Sequence, residues 1–237
     1  MIAKKYRLLL VDADDTILDF KRCEHDALRT VLQSFGLPDS DEVIALYSGI
    51  NDRMWKMLEK KEITKSELRV RRFREFLEKT GYSADAEAVA SAYEQALGTK
   101  HFLLPGAAEA CQTLSGHIPM YIITNGLESA QKRRLAESGI TSWFDGVFIS
   151  GQIGAEKPSK AFFDAVEARL GALDRDTVLV IGDSLTSDIA GAVNAGFDSL
   201  WITRGKPAPD FPPYTYCLSS FAEVPAFLGI GGEENVK

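Results

Sequence analysis

Cysteine and histidine are scarce in this sequence. The chain has three of each among 237 residues, and they are widely scattered. An odd number of dispersed cysteines excludes a disulfide framework, and the lack of paired Cys or His ligands excludes a structural zinc site. Free thiols that stay reduced are typical of the cytoplasm, which is where we expect this protein to reside.

Basic charge and long apolar runs are also lacking. Asp and Glu number 34 against 27 Lys and Arg, which gives a net charge of -7. This balance argues against nucleic acid or an anionic membrane as a partner, because both require a basic face. No apolar stretch is long enough to span a bilayer, and the apolar run near the N-terminus is too short for a signal peptide. We therefore expect a small-molecule partner, and the sequence leaves the oligomeric state open.

The most informative stretch is residues 8–18, LLLVDADDTIL. A short, continuous apolar run is typical of a buried strand in a parallel sheet, and ligands bind beyond the carboxyl ends of such strands. Here the run ends at Asp12, Asp14 and Asp15. Converging carboxylates repel each other unless a cation or a shared proton relieves them. One Asp would suit a polar turn, but three beside a buried strand indicate a functional site.

The rest of the chain predicts two kinds of architecture. Residues 19–98 show helical periodicity without strands, as expected for an all-helical inserted domain. From residue 101 onward, strands alternate with helices, which predicts an α/β fold with a doubly wound parallel sheet. We predict a core formed by residues 1–18 and 99–237, with the insert placed as a lid. The predicted helices of the insert are 26–35, 41–60, 66–80 and 85–97, and the later strands are 120–124, 146–150, 177–181 and 199–203.

Polar residues follow the strands of the predicted core at tight turns. In a parallel sheet these turns meet at one edge, which would bring Asp12, Asp14 and Asp183 together. Such an oxygen-rich acidic cluster suits Mg²⁺. Thr124, with the backbone N–H groups around Asn125 at a helix start, suits a phosphate. The predicted surface loop at 207–213 and frayed tail at 229–237 complete the chain.

Four motifs in this order resemble those of the haloacid dehalogenase superfamily, in the phosphatase branch with a helical cap after the first motif. The resemblance covers nearly the whole chain and implies a Rossmann-like core with an all-helical cap. Any one motif alone is weak, but four at the expected structural positions are specific. They are Asp12-Ala13-Asp14-Asp15-Thr16, Thr124, Lys157 with Pro158, and Gly182-Asp183 followed by Asp188.

The resemblance implies phosphoryl transfer through an aspartyl-phosphate. Asp12 would attack phosphorus, and Asp14 would protonate the leaving oxygen and then activate water. Mg²⁺ would be held by Asp12, the Asp14 backbone carbonyl and Asp183. Thr124, Asn125 and Lys157 would bind the phosphoryl oxygens. Asp188 would hold Lys157 or a metal-bound water, a role compatible with the alternative that it caps the following helix.

Two features narrow the interpretation within the superfamily. Dehalogenases resemble this chain but lack a carboxylate at the Asp14 position, because a leaving halide needs no proton. Asp15 stands where Gly often follows, and the run Asp-Ala-Asp-Asp-Thr is similar to that of a pyrimidine 5′-nucleotidase-like subgroup. Asn51 and Trp55 in the cap also look similar to that group and are candidate substrate contacts. Core packing is an equally good explanation for Trp55.

The sequence therefore predicts a phosphoric monoester hydrolase that uses Mg²⁺ and acts on a small phosphorylated metabolite, with nucleoside 5′-monophosphates as preferred substrates. A phosphatase of sugar or other metabolite phosphates is an alternative. A phosphomutase with the same intermediate is another. A third alternative, from a different class, is a phosphate-accepting or silent binding module, although receiver domains of that kind are about half this length and lack an inserted bundle.

Overall fold

The computed structural model describes residues 5–207 and 213–231 and contains a six-stranded parallel sheet flanked by helices. The strands are β1 (Leu8–Asp12), β2 (Met120–Thr124), β3 (Gly146–Ile149), β4 (Val178–Gly182), β5 (Asp198–Ile202) and β6 (Tyr216–Leu218). The helices are α1 (Phe20–Ser34), α2 (Asp41–Glu59), α3 (Lys65–Thr80), α4 (Ala86–Gly98), α5 (Ala107–Leu114), α6 (Glu128–Ser138), α7 (Ser150–Ile153), α8 (Lys160–Leu170), α9 (Ala190–Ala195) and α10 (Val224–Leu228).

The sheet has the strand order β3-β2-β1-β4-β5-β6, and every neighbouring pair is parallel. β1 lies in the interior of the sheet and is buried along its whole length, and its residues Leu8 and Leu10 belong to a core cluster with apolar residues of α8 and α9. It pairs with β2 through Leu9 and Met120 and with β4 through Leu8 and Val178. The doubly wound α/β fold predicted from the sequence is thus confirmed, and the ends of β1, β2 and β4 lie side by side.

By their contacts, the described residues form two compact units. The α/β unit comprises the chain up to Asp19, Phe102–Glu128 and the chain from Ser138 onward. The helical unit comprises Phe20–His101 together with Ser129–Glu137, a segment that the sequence-based boundaries assign to the core. Those boundaries stay a prediction.

The helical unit is held together by an aromatic and aliphatic core. α1 packs on α4, and α3 packs on both α2 and α4. The rings of Tyr47 and Phe73 stack with their centroids 4.9 Å apart, and Tyr93 lies 5.2 Å from Phe73. Because these three rings come from three different helices, their contacts fix how the helices pack.

Local signals explain most helix ends. α3 begins with a capping box, in which Thr64 accepts a hydrogen bond from the Glu67 N–H and the Glu67 side chain accepts one from the Thr64 N–H. Gly81 ends α3 in a left-handed conformation, φ 70°. α1 begins six residues before the predicted start, at Phe20 rather than at residue 26. Its buried Cys23 and Glu24 show that the extra turn belongs to the packed face.

Three features of the core differ from the sequence-based expectation. β6 and the four-residue α7 were not predicted. The helix that the sequence predicts after Asp188 is preceded by a π-helical turn at Leu185–Ile189, which leads into α9. Most of the predicted loop at 207–213 and of the predicted tail at 229–237 lies outside the described residues. Within residues 5–207 and 213–231, no helix combines the length and apolar character needed to cross a bilayer.

Candidate active site

Asp12 is the last residue of β1 and the centre of a buried ionic cluster. Lys157 Nζ donates to Asp12 Oδ1 at 2.7 Å, to Asp188 Oδ1 at 2.6 Å and to the Ile123 carbonyl at 2.9 Å. These three acceptors use all three protons of the ammonium group. The Lys157 side chain is 1% exposed, so it is held as a fixed charge between the ends of three neighbouring strands.

Asp188 is fixed by its backbone surroundings as well as by Lys157. Its second carboxylate oxygen, Oδ2, accepts a hydrogen bond from the Ser184 N–H at 3.1 Å. Its carboxylate also packs directly on Gly182, where a Cβ atom would stand 2.3 Å from the Asp188 carboxyl carbon. Only glycine fits at the end of β4 for this reason. The structure thus places Asp188 against Lys157, and its predicted role in the site stays a prediction.

Asn125 ties the loop after β2 to the loop that carries Lys157. Its amide donates to the Lys157 carbonyl at 2.8 Å and accepts from the Lys157 N–H at 2.9 Å. It also donates to Ser187 Oγ at 3.3 Å. The Asn125 side chain therefore fixes the position of Lys157, while its backbone stays at the turn after β2. Thr124 Oγ1 at the same turn accepts from the Gly126 N–H at 3.1 Å.

Asp183 completes an acidic cluster beside Asp12. Carboxylate oxygens of Asp12, Asp183 and Asp188 all lie within 4.8 Å of one another. Trp201 Nε1 donates to the Asp183 carbonyl at 2.9 Å and holds the backbone at this point. Burial raises the pKa of the Asp183 carboxyl to about 6, and the Asp188 carboxylate adds to this effect. Because burial disfavours the charged form, the cluster favours a neighbouring cation.

The ionic cluster has more negative than positive charge. Burial raises the pKa of the Asp12 carboxyl well above its usual range, the Asp188 carboxylate raises it further, and Lys157 lowers it. Burial also lowers the pKa of Lys157, but Asp12 and Asp188 outweigh that effect, so the net pKa lies above the usual lysine value. Lys157 is therefore charged, yet by itself it does not offset the burial of Asp12 and its acidic neighbour.

The turn after β1 carries the two remaining acids of the first motif, Asp14 and Asp15. The alternation of an extended strand would place Asp14 on the same side as Asp12 and Asp15 on the other. The extended conformation ends at Asp15, whose φ is 61°, and the Asp15 N–H donates to the Leu18 carbonyl at 2.7 Å. Asp14 is half-buried, and its side chain is not part of the close carboxylate cluster.

Two basic residues of this site were missed by the sequence reasoning. Arg204 Nη1 lies 2.5 Å from Asp15 Oδ1, and Lys206 Nζ lies 3.0 Å from Asp183 Oδ2. Both follow β5, at the same edge of the sheet as the other loops. A search of the β5 end, like that made of the β1, β2 and β4 ends, would have found them.

The cap residues singled out from the sequence lie in the helical unit. Asn51 is fully buried there, where its amide donates to Glu24 Oε1 at 2.7 Å and accepts from Arg72 Nη1 at 2.8 Å. Its polar atoms are thus engaged inside the unit. Trp55 is half-buried on α2. Their predicted contact with substrate stays a prediction.

Comparison with known proteins agrees with the motifs and the geometry. A family model described as haloacid dehalogenase-like hydrolase matches residues 6–196. This chain belongs to that hydrolase family. The HAD-hydrolase YfnB of Bacillus subtilis is 37% identical over 96% of this chain and 97% of its own. A crystal structure of YfnB bound to magnesium superposes with a TM-score of 0.89 at 35% identity, covering 95% of this chain and all of that one.

Two other relatives of this haloacid dehalogenase-like hydrolase carry names that state an activity. The pyrimidine 5′-nucleotidase PynA of Streptococcus pneumoniae is 36% identical over 89% of this chain and 92% of its own. The pyrimidine 5′-nucleotidase YjjG of Escherichia coli is 28% identical over 94% of this chain and 98% of its own. The chain therefore resembles hydrolases of this family over nearly its full length.

Proposed function

We propose that this hydrolase cleaves phosphoric monoesters through a phosphorylated Asp12, with nucleoside 5′-monophosphates as its substrates. One observation carries the proposal: Lys157 is buried between Asp12 and Asp188, with Asp183 in the same cluster. This arrangement supports the proposal, because it brings carboxylates and a fixed ammonium group together at one edge of the sheet. Two relatives named as nucleotidases support the same reaction class.

In the first step, a carboxylate oxygen of Asp12 attacks phosphorus, and the bond to the leaving oxygen breaks. Lys157 holds Oδ1 of the Asp12 carboxylate at 2.7 Å, and Thr16 Oγ1 lies 3.4 Å from Oδ2. The carboxylate is therefore oriented before substrate arrives. Such preorganisation lowers the barrier, because no reorientation is needed at the moment of attack.

Asp14 is the proposed general acid and base. It follows Asp12 by two residues and is only half-buried, so it can exchange a proton with an incoming group. It would donate a proton to the leaving oxygen and then remove one from the water that hydrolyses the aspartyl-phosphate. Thr124 and the backbone N–H of Asn125 would bind the phosphoryl oxygens, and the Lys157 ammonium would add positive charge.

The donor set fits Mg²⁺. Three carboxylates within 4.8 Å offer hard oxygen ligands, and their negative charge exceeds the single positive charge of the buried Lys157 ammonium. Asp12, Asp183 and the Asp14 backbone carbonyl would hold the ion, because Asp188 is already engaged with Lys157 and the Ser184 N–H. When bound, the ion would supply the positive charge that offsets repulsion between a carboxylate and a phosphate dianion.

The mechanism is tested by replacing the nucleophile. Asp12→Asn should lower the turnover of an aryl phosphate by at least about a thousandfold, because an amide is a far weaker nucleophile than a carboxylate. Asp164→Asn removes an exposed carboxylate that pairs with Lys160 on α8 and serves as the matched control. Wild-type-like turnover by Asp12→Asn would refute the proposed nucleophile.

The substrate class is tested by a phosphate-release screen with Mg²⁺ over nucleoside monophosphates, sugar phosphates and other phosphorylated metabolites. We expect kcat/KM to be highest for pyrimidine nucleoside 5′-monophosphates. A flat profile would refute the nucleotide preference and leave the mechanism intact. Isomerised product without free phosphate would indicate a phosphomutase, and a single phosphorylation without turnover would indicate a phosphate-accepting module.

The metal is tested by removal and replacement. Chelation of divalent ions should abolish phosphate release, and excess Mg²⁺ should restore it, because three converging carboxylates repel each other unless a cation besides Lys157 offsets them. Full activity in chelator would refute the magnesium requirement.

A further inference from the structure

The short loop after β5 contacts both acidic loops of the active site. Arg204 Nη1 lies 2.5 Å from Asp15 Oδ1, in the turn after β1. Lys206 Nζ donates to Asp183 Oδ2 at 3.0 Å, in the turn after β4. Gly205 separates the two basic residues in sequence. One three-residue segment, Arg204-Gly205-Lys206, therefore holds two turns that carry proposed catalytic and metal-binding groups. We call it the basic loop.

The ion pair between Arg204 and Asp15 joins two residues with unusual backbone conformations. Among the described residues, three that are not glycine have a positive φ, and two of them are Asp15 at 61° and Arg204 at 49°. A left-handed conformation is unfavourable for residues other than glycine, although Asp tolerates it better than most. Such conformations persist where the surrounding structure holds them in place. The ion pair connects the two directly.

The position of Asp15 also determines where Asp14 points. Asp15 is the residue after Asp14, and its N–H donates to the Leu18 carbonyl at 2.7 Å, which closes the turn. The backbone of Asp14 also forms an isolated β-bridge with the backbone of Leu18. The Asp15 side chain is 16% exposed, so its carboxylate lies within the protein next to Arg204. By pairing with this carboxylate, the Arg204 guanidinium fixes the turn. The turn in turn fixes the backbone carbonyl and the side chain of Asp14.

Lys206 acts on the other acidic turn. Trp201 Nε1 donates to the backbone carbonyl of Asp183, whereas Lys206 donates to the Asp183 side chain. The Asp183 side chain is 16% exposed and that of Lys206 is 53% exposed. An ammonium group with that much solvent access can leave without disrupting the core. A divalent ion that takes Asp183 Oδ2 has to displace it.

We propose that Arg204 and Lys206 are positioning residues of this active site. Arg204 fixes the turn that carries Asp14 by pairing with Asp15, and Lys206 holds the Asp183 carboxylate until a divalent ion replaces it. The inference rests on the proposed function for the role of Asp14 and Asp183. It adds that the turn at Asp15, the residue after Asp14, depends on an ion pair with Arg204, which lies nearly two hundred residues later in the sequence.

The Arg204 part is tested by a double-mutant cycle with Asp15→Asn and Arg204→Gln. Asn tolerates a left-handed φ, so Asp15→Asn removes the charge and keeps the turn. Each single variant should lower kcat roughly tenfold with KM little changed, and the double variant should be no worse than either single variant, because both break the same ion pair. Arg204→Lys should restore part of the loss. Wild-type-like kcat in both single variants, or losses that multiply in the double variant, would overturn this part.

The Lys206 part is tested by Mg²⁺ affinity, measured as the shift in thermal unfolding midpoint during a Mg²⁺ titration. Lys206→Gln should bind Mg²⁺ about three- to fivefold more tightly, because a competing cation at a partly exposed carboxylate is gone. Lys206→Arg should resemble the wild type. Lys160→Gln changes the net charge equally at an exposed pair on α8 and should not alter the affinity. Equal or weaker affinity in Lys206→Gln, or no Mg²⁺ response in either protein, would overturn this part.

The thermal titration requires no turnover, so the two levels of proposal fail separately. A wild-type protein that binds Mg²⁺ but releases no phosphate from any monoester would refute the proposed function and leave the Lys206 result standing. A fully active wild type whose Arg204 and Lys206 variants behave as wild type would refute the inference alone.

Discussion

The α/β unit and the helical unit both bury acidic and basic side chains, but they arrange them differently. In the α/β unit, Lys157 touches Asp12 at 2.7 Å and Asp188 at 2.6 Å, so one cation serves two acids directly. In the helical unit, one acid and one base are separated by an amide: Glu24 accepts from Asn51, and Asn51 accepts from Arg72. The first cluster is short of positive charge, and the second is balanced.

The Arg72 side chain shows what the balanced arrangement achieves. Arg72 is 2% exposed and lies 5.0 Å from the Tyr93 ring and 5.2 Å from the Phe73 ring. Its Nε and Nη2 atoms have no hydrogen-bond partner among the described residues. The guanidinium is therefore held by ring faces and one amide oxygen, which suits a fixed position in a folded core. The difference between the clusters suggests that one serves chemistry and the other specifies packing.

Among the variants that test this comparison of the two clusters, Lys157→Met has the largest expected effect. It leaves Asp12 and Asp188 buried without their shared cation, so we expect kcat to fall roughly a hundred- to a thousandfold and the free energy of unfolding to fall by about 3–5 kcal/mol. Steady-state kinetics and urea denaturation measure the two. If Lys157→Met lost stability but kept the wild-type kcat, the assignment of the Lys157 cluster to chemistry rather than to packing would be contradicted.

Arg72→Met should separate stability from activity. Removing the guanidinium leaves Glu24 and the Asn51 oxygen in the core without it, so the free energy of unfolding should fall by about 3 kcal/mol. The kcat of the folded protein should change by less than about twofold, since this cluster is assigned no chemical step. Arg53→Gln, at an exposed pair with Glu75, is the matched control. A large loss of kcat in folded Arg72→Met would contradict this assignment.

Asn51→Ala tests the same comparison at the amide between the two charges. We expect a loss of about 2 kcal/mol in unfolding free energy, because both Glu24 and Arg72 lose a buried hydrogen-bond partner. KM should stay near the wild-type value if the amide acts only inside the helical unit. A tenfold rise in KM would instead support the substrate contact predicted from the sequence.

The smallest effect is expected from Glu24→Gln and depends on pH. Burial raises the pKa of Glu24 above its usual 4.5, so the ionised form is disfavoured in the folded state. Below the unfolded-state pKa the wild type carries no such cost, and stability is lost as pH rises through the raised pKa. The wild type should therefore lose stability relative to Glu24→Gln over that range. A difference in unfolding free energy that does not vary with pH would contradict the raised pKa.

Much of the fold could be predicted because its signals are local. Four continuous apolar runs predicted four of the strands after β1 or close approximations to them, and the Thr64–Glu67 capping box predicted the start of α3. β6 was missed because it is only three residues long and lies at the sheet edge. Arg72 is one of four arginines within residues 69–74, a pattern typical of a solvated helix face, and helical periodicity does not reveal that an aromatic core accepts one of them.

The candidate site could likewise be predicted where its signals are local in the sequence. Asp12, Lys157, Asp183 and Asp188 share one edge because parallel strands end there, and the motif positions identified them. The pairing of Arg204 with Asp15 depends on loop conformations and on a separation of nearly two hundred residues, which no local pattern encodes. No local pattern encodes the hydrogen bonds of Asn51 either, because its partners come from two other helices. The roles of these residues remain predictions.

The position of β1 between β2 and β4 has a consequence for how the protein is synthesised. Asp12 is synthesised long before its sheet partners, because its strand pairs with β2 after more than a hundred residues and with β4 still later. Lys157 follows Asp12 by 145 residues. The nascent chain therefore carries β1, with its four apolar residues, unpaired until most of the sheet has been made. The helical unit, whose contacts are closer in sequence, has the opportunity to fold first.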